Sequence, residues 1–200
     1  MTFIPCAQIE ARAAELWRHH HLAPSFNIEL LLDRLQLSLL WDPLPPNVLG
    51  ALQAEEHLVI LNQDRLPDFE ARPGLERFTV AHEVGHDILH GGDSWTGVLP
   101  LMENGKTWCR DDSRTATEFQ ANRFASYLLM PTDQLRPMLL ASPWGGWPEI
   151  YRLAEAFGVT PTAMLVRLQN GGYVHRAKDG TPVSGPPADA DASSATLPGL

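Results

Sequence analysis

The chain has 200 residues, room for one ordinary domain and at most a small appendage. With 15 Lys plus Arg against 24 Asp plus Glu its net charge is −9, which excludes a protein built chiefly to grip phosphate backbones. At 44% hydrophobic and 20% charged it can bury a core, and its two cysteines cannot staple a secreted disulfide scaffold.

The first residues, MTFIPCAQIEARAAELW, show no basic segment followed by an apolar stretch, and no run approaches the ~20 apolar residues of a membrane span. The expectation is a cytoplasmic protein without signal peptide or membrane anchor. Ile9, Ala13, Leu16 and Trp17 recur at helical spacing, predicting a helix over 7–22 that Pro24 must end. A second helix is expected over 28–37, behind the capping residues Ser25 and Asn27. The period then changes. Short apolar runs at 37–41, 48–54 and 57–62 predict strands of a small antiparallel sheet.

Helical spacing returns over 75–90, where Gly91 and Gly92 are placed to cap the end. Residues 91–113 have no period, and so long a connection is usually functional or mobile. A strong helix over 114–130 ends at Pro131, and Thr132 is placed to cap a short helix to about 141. Two more are expected over 148–157 and 161–169, joined by Gly158-Val159-Thr160, with Thr160 as cap and Pro161 at the first helical position. The composition after Arg176 reads as a solvated tail. The fold class is therefore α+β and mainly helical. Residues 1–145 form the main domain, 146–175 a helical, helix-turn-helix-like segment packed on it, and 176–200 a disordered low-complexity tail.

The chemistry is concentrated in Ala81-His82-Glu83-Val84-Gly85-His86. Residues four apart on a helix share a face, so His82 and His86 can hold one metal ion. Glu83 lies about 100° further round, where it can act as a general base without being a ligand. Val80, Val84 and Ile88 pack the opposite side, and Gly85, costly in a helix interior, marks a close backbone approach. A third ligand should come from another element. Glu118 opens the 114–130 helix, and Asn122, Ala125 and Leu129 share its side with Ala121 beside them, so this helix can press against Gly85. The run from Thr115 to Glu118 equally fits a capping box, in which the glutamate only bonds the helix start. The residues alone leave both readings open.

RFTVAHEVGH followed by E-x-x-A-N-R-F-A and LLMP resembles the ImmA/IrrE family of bacterial metallopeptidases. The likeness runs over about 28–169 and takes in HLVILN and FGVTPTAMLVRL. It implies a zincin-like fold with one zinc ion per chain, His82, His86 and Glu118 as its ligands, and Glu83 as catalytic base. It further implies limited proteolysis of a helix-turn-helix transcriptional repressor, relieving repression in a stress response or in mobile-element control. Neither direct nucleic-acid binding nor membrane association is expected. Gln120 departs from the pattern, since many relatives carry a second acid there, which leaves Glu118 as the carboxylate at this position. A second departure is the absence of the sensor-like C-terminal domain of longer radiation-response relatives.

Other residues are weighed against plainer roles. Asn122 either orients a ligand or is a packing polar group. His90 is read as favouring the negative helix end, with polarisation of a substrate carbonyl as the alternative. His19, His20 and His21 point in different directions and read as a solvated helix end. Cys109 is read as a small filler, with a resting-state zinc ligand as the alternative. Tyr127 falls about half a turn from Glu118's face and is not offered as a transition-state donor. The strand at 57–62 is either a substrate-binding edge or a core strand. The competing function is a non-catalytic regulator that binds DNA or a repressor through its C-terminal helices, around Arg152, Arg167, Arg176 and Lys178.

Overall fold

A computed structural model describes residues 4–72, 74–91, 96–100 and 113–185, with the backbone alone at 96–100 and 113–115. Helix α1 (Cys6–His19) buries Ile9, Ala13 and Trp17 along one stripe, and the Trp17 indole donates 2.6 Å to the Leu128 carbonyl. Helix α2 (Ile28–Arg34) starts at Asn27, whose side chain accepts from the Glu29 and Leu30 amides. It stops short of 37 because Gln36 turns left-handed, φ 59°.

Strands β1 (Ser38–Asp42), β2 (Val48–Gln53), β3 (Leu58–Asn62) and β4 (Thr96–Pro100) form a sheet in the order β1-β3-β2-β4. The sheet is mixed, not purely antiparallel: β1 runs parallel to β3, with Ser38 opposite Leu58, while β2 is antiparallel to β3 and β4. The physical reason lies in LVILN. A strand apolar on both faces belongs in a sheet's interior, and β3 inserts between β1 and β2 with Val59 and Leu61 at 0% exposure. The buried Asn62 amide then secures the loop between β1 and β2, donating to the carbonyls of Leu44, Pro45 and Val48. As an interior strand, β3 offers no edge to a substrate. Strand β4, within the stretch expected to lack structure, is an outer strand.

Helix α3 (Leu66–Ala71), opened by Pro67, was not anticipated. It leads into α4 (Leu75–His90), the motif helix. Gly91 ends α4 without the left-handed cap conformation, at φ −50°. Helix α5 (Ser113–Leu129) lies along α4, and α6 (Thr132–Leu140) follows. Thr132 is not a cap: its hydroxyl donates to Glu10 and accepts from Arg167. Helices α7 (Trp147–Phe157) and α8 (Pro161–Asn170) meet at the Gly158 turn, where Thr160 accepts from the Ala163 amide as expected. A hairpin, β5 (Val174–Arg176) against β6 (Pro182–Ser184), reaches from the end of the helical segment into the stretch expected to be tail. Asp179 in its turn accepts from the Thr181 amide.

The architecture is α+β, with helices dominating around a small sheet. Ile150, Leu153, Phe157, Met164 and Leu168 join the same core as α1, α4 and α5. Arg77 on α4 donates to the carbonyls of Gly158 and Phe26, binding the C-terminal turn to the motif helix. Among the described residues no helix is long and apolar enough to cross a membrane.

Candidate metal centre

Helix α4 packs against β2 and β3 as well as α5, so its motif residues are deeply buried. Close contact with α5 depends on small residues. A Cβ on Gly85 would stand 3.1 Å from the Ala121 carbonyl oxygen and 3.2 Å from its Cα. Ala121 and Ala125 are both fully buried. Helix α5 begins at Ser113, so Thr115 lies inside the helix rather than at the cap position a capping box requires.

This approach brings Glu118 over the two histidines. His82 Nε2 lies 2.9 Å from His86 Nε2 and 3.1 Å from Glu118 Oε2, and His86 Nε2 lies 3.6 Å from Glu118 Oε1. Ligands held ~2.0–2.1 Å from a tetrahedral zinc sit about 3.3 Å from one another. The three observed separations bracket that value. Two imidazoles and a carboxylate also form a donor set of the catalytic zinc type, which leaves a fourth position for a reactant. The residues fit a metal. Among the described residues this is the one cluster of its kind, so His19, His20 and His21 form no such site. His82 and His86 are almost wholly withdrawn from solvent, while the Glu118 side chain keeps 22% exposure, placing the opening on its side.

Electrostatics follow from this burial. Burial lowers His86 to about 4, although Glu118 beside it works the other way. Burial opposes ionisation of Glu118, but the adjacent His82 and His86 prevail and hold it at about 2. Glu83 is fully buried, and neither carboxylate oxygen has a hydrogen-bond partner among the described residues. Burial, reinforced by the Glu118 charge, pushes its carboxyl well above the ordinary range. Native proteins rarely leave such a group uncompensated away from functional sites.

The remaining candidates separate clearly. Asn122, one turn along from Glu118, has its Oδ1 3.2 Å from His82 Nδ1, so it contacts a candidate ligand directly. The His90 ring lies 5.6 Å from that of His86 at the end of α4. Tyr127 stacks beneath Arg167 at 4.9 Å, toward α8. Cys109 lies outside the described residues. Gly50 escaped the sequence reading: its Cβ would stand 2.6 Å from Thr79 Cγ2 and 3.4 Å from Glu83 Oε1. The signal was an isolated glycine in the apolar strand VLGALQ, a mark of close approach.

Comparison with known proteins bears on the same residues. The profile of a peptidase family described as the IrrE N-terminal-like domain matches residues 69–169, half of the chain and both motif blocks. The chain belongs to this family. It is similar to the radiation response metalloprotease IrrE of Deinococcus deserti, 30% identical over 60% of this chain and 38% of that protein. The IrrE of Deinococcus radiodurans is 31% identical over 45% of this chain and 24% of that protein. The family member described here thus spans well under half the length of these relatives. A Mycobacterium tuberculosis transcriptional regulator shares its fold with a TM-score of 0.54 and 15% identity, over 90% of this chain and 55% of that one.

Proposed function

We propose that this IrrE-like chain is a cytoplasmic, zinc-dependent endopeptidase whose substrate is a helix-turn-helix transcriptional repressor, cleaved to relieve repression. The observation that carries the peptidase reading is the convergence of His82, His86 and Glu118 beside a buried carboxylate with no hydrogen-bond partner among the described residues. In this reading the three residues hold one zinc ion. When bound, zinc polarises the scissile carbonyl, acidifies water and favours the ionised form of Glu83. Glu83 takes a proton from the attacking water, whose oxygen bonds to the carbonyl carbon. As the C–N bond breaks, Glu83 delivers that proton to the departing amine. The complete burial of Glu83 keeps other water from competing for its proton. Gly50, with no side chain, lets β2 run close beside that carboxylate.

Strand β4, paired to β2 and packed on α4, supplies the edge along which an extended substrate adds as a further strand. Residues 1–145 make up the peptidase domain in this reading, and 146–175 form a docking element on its side. The choice of repressor as substrate rests on the family likeness. The test is incubation with a helix-turn-helix repressor encoded beside the gene, with and without a chelator. A new fragment that needs the metal and is lost with Glu83→Gln is expected. Cleavage that survives chelation or Glu83→Gln overturns the mechanism.

A further inference from the structure

One side chain near the site has no part in the scheme above. Asn122 is one turn along α5 from Glu118, and Ala121 between them touches Gly85. A single helix contact therefore sets the position of both. The Asn122 Oδ1 lies 3.2 Å from His82 Nδ1, and the His82 ring is 0% exposed. Water cannot take the place of that acceptor. The opposite ring nitrogen, Nε2, faces His86 and Glu118.

A neutral imidazole carries one N–H, and the acceptor on one nitrogen decides which. An amide oxygen at Nδ1 keeps the proton there and leaves the Nε2 lone pair open toward His86 and Glu118. An amide nitrogen in the same place would drive the proton to Nε2, where it would hydrogen-bond the carboxylate and block a metal. The donor set around Nε2 matches the first arrangement.

We propose that Asn122 is a positioning residue, fixing His82 as its Nδ1–H tautomer and aiming Nε2 at the metal position. This inference rests on the zinc reading above. It assigns Asn122 a part in metal affinity that simple packing would not have, since such outer contacts typically carry 10- to 100-fold of affinity.

The experiment uses the full chain at pH 8, with zinc affinity measured by chelator competition and the His82 tautomer by nitrogen NMR of the metal-free protein. Asn122→Leu should bind zinc 10- to 100-fold more weakly and show a mixed His82 tautomer. Asn122→Asp, which keeps an oxygen at the same place, should bind within a few-fold of the unaltered chain or more tightly. Zinc binding by Asn122→Leu equal to the unaltered chain overturns the proposal. So does an equal loss in Asn122→Asp, which marks a packing role. Should Asn122→Leu fail to fold, the unaltered chain decides: an Nε2–H tautomer for His82 overturns the proposal, and Nδ1–H supports it. An unaltered chain that binds no zinc instead sinks the peptidase reading, so the two failures are told apart.

Discussion

Glu83 on α4 and Arg167 on α8 are both ionisable side chains withdrawn from water, at 0% and 3% exposure, and their surroundings are opposite. Arg167 donates to the Met130 carbonyl at 3.0 Å and to the Thr132 hydroxyl at 2.7 Å, with the Tyr127 ring beneath its guanidinium. Among the described residues, Glu83 has no hydrogen bond at either oxygen. Burying a charge costs heavily unless it is paired. The α8 site meets that condition, as a structural anchor must. The α4 site does not, and its uncompensated carboxylate makes sense where a cation and a reactant complete it. Two equally deep burials therefore separate a role in holding the fold from a role in chemistry.

The largest expected effect breaks the α4 side of this contrast. His82→Ala should abolish both zinc binding and cleavage. Glu83→Gln should bind zinc normally and cleave about 10²–10⁴-fold more slowly, the usual worth of a positioned general base. Binding is checked by metal analysis and cleavage by single-turnover assay. At pH above the raised Glu83 value, where its carboxyl is ionised, Glu83→Gln should also raise the melting temperature of the metal-free chain, because a neutral amide is easier to bury than a carboxylate.

Acidity sharpens the comparison, since the site residues titrate in opposite directions from their ordinary values. His86 at about 4 and Glu118 at about 2 are both depressed. Their contributions to the stability of the metal-free chain are complete above their ordinary values of 6.5 and 4.5. As pH falls they are lost, between 6.5 and about 4 for His86 and between 4.5 and about 2 for Glu118. Within each window the unfolded chain holds one more proton than the folded one, so stability changes by at most about 1.4 kcal/mol per pH unit. Glu83 is raised, so its contribution is complete below 4.5 and is lost as pH climbs toward its folded value. Denaturant titrations across pH should show both slopes, and Glu83→Gln should diminish only the second, to which the raised Glu76 and Asp87 also contribute.

These groups also show where sequence is legible and where it is not. The spacing of His82 and His86, the glycine between them and the small face of α5 are local patterns. They sufficed to bring α5 against Gly85, but left Glu118 between metal ligand and capping box until the family likeness favoured the ligand. The caps Asn27 and Thr160 were equally readable, because a cap depends on residues two or three positions away. What escaped depends on distant partners. The apolar run LVILN marks an interior strand, but no local pattern names β1 and β2 as its neighbours, or says that Gly50 passes beside Glu83. The six-residue α3 is too short for a period to appear. The β5–β6 hairpin rests on two three-residue strands in a segment whose composition suggests a tail.

Crowding the helix contact is a smaller perturbation. Gly85→Val should cost about 1–3 kcal/mol, as overpacked cores do, and should weaken zinc binding by shifting Glu118. On the α8 side, Arg167→Ala strands the Met130 carbonyl and should cost a similar amount, about 1–3 kcal/mol. Unlike Gly85→Val it should leave zinc affinity unchanged. Thermal melts with parallel chelator competition distinguish the two, and a loss of zinc on Arg167→Ala would erase the contrast between structural and chemical burial.

The smallest expected effect concerns the C-terminal helices as a DNA-reading surface. Arg152 spends its guanidinium on Glu149, at 2.5 and 3.0 Å, and on the Met138 carbonyl. Arg167 is buried, so two of the four basic side chains considered for that surface are already engaged within the protein. A groove-reading helix needs several free cations on one face. Arg152→Ala removes an ion pair whose arginine is half-exposed but whose Glu149 is buried, so it should cost about 1 kcal/mol. Association of the unaltered chain with duplex DNA should be weak, and Arg152→Ala should not alter its dependence on salt. A steep salt dependence, flattened by roughly one unit of slope on Arg152→Ala, would instead show that residue neutralising a phosphate. That outcome would move the C-terminal helices from a docking element of a peptidase to a nucleic-acid interface.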